Sequence, residues 1–533
     1  MATLGEHLVK WLELYGVDTI FGIPGVHTVD LYRGLAQSPI RHVTPRHEQG
    51  AAFMADGYAR ASGRVAACFL ITGPGLTNAL TPMAQAKADS VPMLVVSAVN
   101  ARKDLGAEAG DLHEVARQGL LGAHCAVFGQ TLHAPEQLAP ALARAWAVFE
   151  GARPGPVHLE IPRDLLAVEI GPFQGTRPPA VIPPGPAEPA VSQAAAWLAE
   201  AEAPLILVGG GAQGGAATVR ALAERLDAPV VMTTNARGIL PGDHPLSVPA
   251  SPSLQAVRRL LATADTVLAC GTEIGWTDYR VFSDDPITYG QRLIRVDLSA
   301  EQLARGAVSD LPMVADTGAA TAAILSALPT SVATGGAVRA KAAREGVWQE
   351  QSEVYRACIR VLDLIRDALP GAPIIGDSTQ AIYAGNLAYA APAPRQWFNA
   401  ATGYGALGYG LPAAIGAARA LPGRPVICLA GDGGVQFTLA DLGTAVEERL
   451  PVILIVWNNS GYGEIKRAMI AGRVKPVGVD LHTPDFVALG AAYGVEAARI
   501  ERLDALAPAL EGAARRDGPS LLEIDEELAL SAR

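Results

Sequence analysis

Apolar residues recur along the chain in two periods, and the alternation between them sets the architecture. Positions 4–15 carry apolar side chains at helical spacing, with Glu6, Lys10 and Glu13 on the other face. A short apolar run at 19–21 follows and closes on Gly22-Ile23-Pro24-Gly25. Runs at 65–71 and 93–98 are continuously apolar and bounded by turn residues, as strands covered on both faces are. The same kind of run returns at 204–208, 229–232, 265–271 and 293–297, and again at 373–376, 426–430 and 452–457. Segments 354–369 and 437–449 have helical spacing. Strand-like runs separated by helical ones predict parallel sheets with helices on both faces. Two stretches break the rhythm, one rich in Pro and Gly at 171–191 and a looser one at 328–338, and both read as linkers. The expectation is therefore α/β: three doubly wound parallel-sheet domains spanning 1–170, 190–328 and 345–533.

Composition narrows the function. A chain of 533 residues is too long for one core, and half of them are hydrophobic, which suits packed α/β domains rather than disorder. Net charge is −11 with no basic run, which argues against nucleic acid or an acidic membrane as partner. The five cysteines, Cys68, Cys125, Cys270, Cys358 and Cys428, are scattered without a C-x-x-C pair, so neither a disulfide framework nor a zinc site is expected. The charged first helix is unlike a signal peptide, and no apolar run reaches membrane-spanning length. A cytoplasmic location is the expectation.

The candidate chemistry centres on 425–466. The run 426–430 ends in Gly431-Asp432-Gly433-Gly434, and the run 452–457 ends in Asn458-Asn459-Ser460-Gly461. In an open parallel sheet, ligands sit at the carboxyl ends of the strands. Asp432 offers a carboxylate oxygen and Asn459 an amide oxygen, a pairing that suits Mg²⁺ with part of its shell left for phosphate and water. A helix following Gly434 would turn its N-terminus to that phosphate. A lone Gly-Asp-Gly turn is equally at home in an ordinary βαβ unit, and the Asn-Asn at the next strand end tips the balance towards a metal.

These residues resemble the cofactor signature of thiamine-diphosphate enzymes, in the branch holding acetolactate synthases and 2-oxo-acid decarboxylases. The resemblance covers nearly the whole chain. It implies that Asp432, Asn459 and the Gly461 carbonyl hold Mg²⁺, and that Gly431, Gly433, Gly434 and Tyr462 lie against thiamine diphosphate. Segment 47–60, H-E-x-x-A-x-x-M-A-x-G-Y-A-R, resembles the family's activating-glutamate segment. Taken alone, Glu48 is only an acid favourable near a helix start. The resemblance makes it the group that shares a proton with the pyrimidine ring, a role needing a carboxyl and not an amide. It also implies that Gly73 and Asn78 line the cofactor. The Gly405 carbonyl would accept from the pyrimidine amino group, and Leu407 would wedge the cofactor into a bent shape. A homodimer, with Glu48 from one subunit and the metal site from the other, is the implied minimal unit, and a homotetramer is implied beyond it.

Acid–base residues are less well defined. His27 and His113 fall in segments that border the cofactor in relatives, although a lone histidine is more often a surface or core residue. Pyruvate-decarboxylase-like members carry Asp where this chain has Val26, and their His-His pair is missing here. The benzoylformate-type histidine would fall at Ile71, and acetolactate synthases have Gln at the position of His113. Glu464 can be read as a proton relay, as a partner for the substrate, or as a plain charge at a helix start; Arg473 and Lys475 read as solvated. Segments 21–35 and 41–48 most resemble 5-guanidino-2-oxopentanoate (2-ketoarginine) decarboxylases. A guanidinium tail would want a carboxylate, and Glu464, Asp111 and Glu114 are the candidates. The alternatives are an acetolactate-synthase-like carboligase and, from another class, a non-catalytic nucleotide-binding relative. The intact Glu48, Asp432 and Asn459 speak against the last. The middle domain carries G-x-G-x-x-G at 209–214, but the next strand run ends in Thr233-Thr234-Asn235 with no acid, so FAD is not expected. Asp297 reads there as a strand-end cap.

Overall fold

The computed structural model describes residues 2–281, 285–329 and 334–531. It contains three six-stranded sheets, every pairing within them parallel. The first runs, in spatial order, Arg41–Val43, Thr19–Gly22, Ala66–Leu70, Met93–Val99, Pro156–Pro162 and Phe128–Thr131. The middle sheet runs Ser247–Val248, Val230–Met232, Leu205–Val208, Thr266–Cys270, Arg292–Asp297 and Leu311–Val314. The third runs Trp397–Asn399, Ile374–Gly376, Val426–Gly431, Val452–Asn458, Ser520–Asp525 and Glu496–Ile500. The interior strands of the first and third sheets are buried along their lengths, which is why they appear in the sequence as unbroken apolar runs. Among the described residues no helix is long and apolar enough to cross a membrane.

Three local expectations change. Segment 437–449 is not one helix: a 3-10 turn, Leu439–Asp441, leads into the short helix Leu442–Glu447. The cause is polar side chains bonding elsewhere. Thr438 Oγ1 donates to the Gly408 carbonyl at 2.8 Å, and Asp441 Oδ1 accepts from the Arg46 amide at 2.7 Å. The helix expected after Gly434 is instead a four-residue helix, Asp432–Val435, that starts on the aspartate itself. The first linker is shorter than expected, because helix Glu188–Glu200 begins before 191 with Pro189 in its first turn. Part of the second linker, 330–333, lies outside the described residues.

The first and third sheets share one core through a crossing of two helices, Glu48–Ser62 and Gly410–Ala420. Glycines allow that approach. A Cβ on Gly57 would fall inside the backbone of Ala413, and one on Gly416 inside the backbone of Met54. Beside the crossing sits a buried polar clasp. Arg60 Nε donates to Asp56 Oδ1 at 2.7 Å and Nη2 to Asp89 Oδ2 at 2.6 Å. Asp89 also accepts from Asn235 of the middle sheet's unit at 3.1 Å and from Thr402 at 3.0 Å, while Tyr409 donates to Asp56 at 2.6 Å. One guanidinium and two carboxylates thus tie all three units together, and their pairing offsets part of the cost of burying the charges, with Asp56 Oδ2 left buried without a donor.

Gly57→Ala should lower the thermal midpoint, by an overpacking cost of about 1–3 kcal/mol, read by calorimetry. Gly214, whose added Cβ would meet nothing within 4 Å, is the control, and its alanine variant should melt like the parent.

Candidate active site

Strand order brings Asp432 and Asn459 together: Val426–Gly431 and Val452–Asn458 are neighbours in register, with Gly431 opposite Trp457. Asp432 is 1% exposed, and its Oδ1 accepts from the Asn459 amide at 3.2 Å. Burial is the main cause that raises its carboxyl above the ordinary range, opposed by hydrogen bonds from the Asn459 and Gly461 backbones. The Asn459 side chain is turned by Glu526, whose Oε2 accepts from Asn459 Nδ2 at 3.0 Å and from Trp457 Nε1 at 2.9 Å. That leaves Asn459 Oδ1 buried with no donor. Asp432 Oδ2 has only a long contact with Thr483, at 3.4 Å. A buried amide oxygen and an underused carboxylate oxygen in one cleft fit a hard divalent cation. Among the described residues no group of three or more His, Cys, Asp or Glu could hold a metal, so the cleft offers one carboxylate plus neutral oxygens.

Glycine keeps this cleft open. A Cβ on Gly433 would meet the Tyr462 ring at 2.8 Å, and one on Gly434 would meet the Asp377 carboxyl at 3.3 Å. Gly461 has φ +151, and the Tyr462 amide bonds to the Val479 carbonyl at 2.9 Å. The neighbouring strand Ile374–Gly376 delivers Asp377, Ser378 and Thr379 to the same place, and a Cβ on Gly431 would meet Thr379 Oγ1 at 3.2 Å. Burial pushes the Asp377 carboxyl up to about 6. Thr379, Thr483 and Glu526 were not singled out from the sequence. Thr379 had a signal, a hydroxyl at a strand's carboxyl end. Glu526 had none, because it arrives from the far end of the chain at the start of helix Glu526–Leu530.

The first sheet presents a second cluster at its carboxyl edge. Glu48 opens its helix, half-buried, and its Oε2 accepts from Asn78 Nδ2 at 2.9 Å. Gly73 has φ +66, and a Cβ there would strike the His113 carbonyl. The rings of His27 and His113 meet edge to face at 5.5 Å. His27 is 4% exposed, and desolvation, then Arg163 and His113, hold its imidazole below the ordinary range, against Asp111. His113 is half-buried with φ +60. Of the acids near the cleft mouths, Asp111 is taken by Arg163 at 3.1 Å and Asn100 at 2.9 Å, and Glu114 caps the backbone of Gly110 and Asp111. Glu464 is 44% exposed and paired with Arg467 at 3.0 Å. Gly405 is exposed at φ +76, and the Leu407 carbonyl accepts from Gln49 at 3.4 Å. No hydrogen bond or ion pair joins Glu48 to Asp432 or Asn459 within the chain among the described residues.

In the middle unit the start of the glycine loop and Gly215 just after it are spent on packing. A Cβ on Gly209 would fall on the Gly271 carbonyl, and one on Gly215 would meet Gly318 Cα at 2.8 Å. A cavity of about 380 Å³ opens beside the loop, reaching Gln213, Thr272, Asp297 and Arg153. Asp297 does cap the chain after its strand, accepting from the Ser299 amide at 2.9 Å.

Three family models match in order: the N-terminal TPP binding domain of thiamine pyrophosphate enzymes over 2–121, the central domain over 191–327, and the C-terminal TPP binding domain over 376–524. The chain is 42% identical over 530 residues to a Pseudomonas aeruginosa protein named "probable 2-ketoarginine decarboxylase", covering 98% of this chain and 94% of the relative. It is 29% identical to the acetolactate synthase isozyme 1 large subunit of Escherichia coli K12, covering 98% and 93%. It is 32% identical to an acetolactate synthase of Mycobacterium bovis, covering 94% and 84%.

Glu526→Gln keeps the shape beside Asn459 but removes the carboxylate that turns its amide. Divalent-cation affinity, measured by Mn²⁺ titration, should weaken about 10–100-fold. Unchanged affinity would mean that the Asn459 rotamer is set elsewhere.

Proposed function

The chain belongs to the thiamine pyrophosphate enzymes, and from that premise we propose that it decarboxylates 5-guanidino-2-oxopentanoate (2-ketoarginine) to 4-guanidinobutanal and carbon dioxide. The observation that carries the cofactor half is the buried, donorless Asn459 Oδ1 on a residue whose backbone amide donates to Asp432. The substrate half rests on likeness along 98% of the chain to the Pseudomonas relative.

Mg²⁺ would be held by Asp432, Asn459 and the Gly461 carbonyl, with Gly431, Gly433, Gly434 and Tyr462 shaping the diphosphate cradle. Gly405, Leu407, Gly73 and Asn78 would position the rings. Bound thiamine diphosphate supplies the electron sink for breaking the bond to the departing carboxylate. Glu48 has one oxygen occupied by Asn78, which leaves Oε1 to take and return a proton at the pyrimidine nitrogen. His113 delivers a proton to the product carbon. Glu464, exposed and sharing Arg467 with Glu526, exchanges that partner for the substrate guanidinium. Asp111 is held by Arg163 and Asn100 and Glu114 caps its own loop, which favours Glu464 among the three acids.

Glu48 and Asp432 meet across two copies of the chain in this reading. Exposed apolar side chains flank both edges, Val26, Val29 and Leu112 by the first and Tyr404, Phe437 and Ile465 by the third, and a homodimer would cover them. Pairing of dimers gives a tetramer. The domains are taken as 1–170, 190–328 and 345–533. The free cysteines, four of them buried, suit a reducing cytoplasm. The second reading is an acetolactate-synthase-like carboligase, favoured by the matches to synthases along 94–98% of the chain.

With Mg²⁺ and thiamine diphosphate, carbon dioxide release should be fastest with 2-ketoarginine among that acid, pyruvate, benzoylformate and branched 2-oxo acids. Acetolactate accumulating from pyruvate would give the second reading instead. Glu48→Gln should cut kcat by about 10²–10⁴-fold. Glu464→Gln should raise KM for 2-ketoarginine more than for an uncharged 2-oxo acid; equal effects would remove Glu464 from substrate recognition.

A further inference from the structure

The His27–His113 pair stands on a hydrogen-bond chain that neither histidine controls. His27 Nδ1 lies 2.8 Å from Thr72 Oγ1, and His27 Nε2 lies 3.2 Å from Arg163 Nη1. A guanidinium has donors and no acceptor. The Nε2 atom must therefore accept from Arg163, and the ring proton must sit on Nδ1, donated to Thr72. Both nitrogens of His27 are then occupied by protein. The same guanidinium donates through Nη2 to Asp111 Oδ2 at 3.1 Å. Asp111 is further fixed by Asn100 Nδ2, which also holds the Leu112 carbonyl at 3.0 Å. The next residue is His113, whose backbone is held at φ +60 over the Gly73 turn. Its ring meets that of His27 at an interplanar angle of 82° and has no hydrogen bond among the described residues.

We infer that Arg163 is a positioning residue: its guanidinium fixes His27 in one tautomer and, through Asp111, fixes the loop that presents His113, so that His113 alone exchanges a proton at the reacting carbon. Arg163 stands at the start of helix Arg163–Leu166, directly after the strand Pro156–Pro162, where the sheet itself sets its place. His27 faces Thr72 from the turn after Ala66–Leu70, Asp111 and His113 from the loop before Gln118, and Arg163; burial first, then Arg163 and His113, disfavour its imidazolium, and Asp111 favours it. His113 faces His27 and the Gly73 turn, and the carboxylate next to it, Glu114, is spent on capping. The role of His113 at the reacting carbon rests on the decarboxylase reading; the tautomer and the loop anchorage do not depend on the substrate.

The test pairs two readouts. Hydrogen–deuterium exchange at histidine C2, followed by mass spectrometry on the intact enzyme, gives a titration midpoint for each ring without any substrate. In Arg163→Met the His27 midpoint should rise towards the ordinary histidine value. In Arg163→Lys, a single ammonium in place of a fork, it should stay low while kcat still falls, because one group cannot serve both His27 and Asp111 in the same geometry. With the preferred 2-oxo acid, Arg163→Met should lose about tenfold or more in kcat with KM little changed. His113→Gln should erase the histidine limb of the pH–rate profile, and His27→Asn should lower the rate while keeping that limb. A His27 midpoint unmoved in Arg163→Met, or a limb that survives His113→Gln and vanishes in His27→Asn, overturns the inference. Absence of turnover with every 2-oxo acid would sink the decarboxylase reading and leave the exchange experiment to decide this one.

Discussion

The structure depends on the crossing of two helices at which no side chain can stand. Where Glu48–Ser62 meets Gly410–Ala420, Gly57 and Gly416 let each backbone touch the other. That contact fuses the cores of the first and third sheets, and the Arg60–Asp56–Asp89 clasp extends the fusion to the middle unit through Asn235. The functional ends hang from the same helices. Glu48 is the first residue of one, and Gly405 and Leu407 lie just ahead of the other. A shift at the crossing is therefore a shift at the site, although the crossing touches no reacting atom.

The site divides into two halves with different physics. The third sheet supplies fixed oxygens at strand ends, oriented by carboxylates that themselves stay in the protein: Glu526 turns Asn459, and Asp377 holds the Gly410 amide at 3.1 Å. The first sheet supplies side chains whose hydrogen bonding is set by neighbours. His27 is desolvated and bonded at both nitrogens, His113 is left with a free ring, and Glu48 has one oxygen taken. In the proposed function the first half would be a fixed cradle for metal and anion, and the second a proton-handling edge brought opposite it by another copy of the chain. The cradle must not reorganise, whereas the protons must move.

Much of this was legible in the residues. Unbroken apolar runs gave the buried parallel strands because a strand covered on both faces is apolar along its length, and Gly-Asp-Gly-Gly and Asn-Asn at consecutive strand ends carried the likeness to the family that the comparisons show. The helical spacing of 437–449 misled, since Thr438 and Asp441 found partners on Gly408 and Arg46 that the local pattern could not reveal. Glu526, Thr483 and Arg163 escaped for the same reason, each being an unremarkable charged or polar residue until a distant segment is folded against it.

The sequence by itself thus determined the class of fold and the family's cofactor signature, and put Glu48, Asp432 and Asn459 forward as candidates, because these follow from short-range periodicity and from residue chemistry at strand ends. Only the tertiary structure decided which atoms are free. It left Asn459 Oδ1 without a donor, committed Asp111 to Arg163 and Glu114 to its own loop, and closed both nitrogens of His27 while leaving His113 open. Those outcomes depend on hydrogen bonds between residues as far apart as His27 and Arg163 or Asn459 and Glu526, and a hydrogen bond is settled by geometry within a few tenths of an ångström, which no local pattern carries.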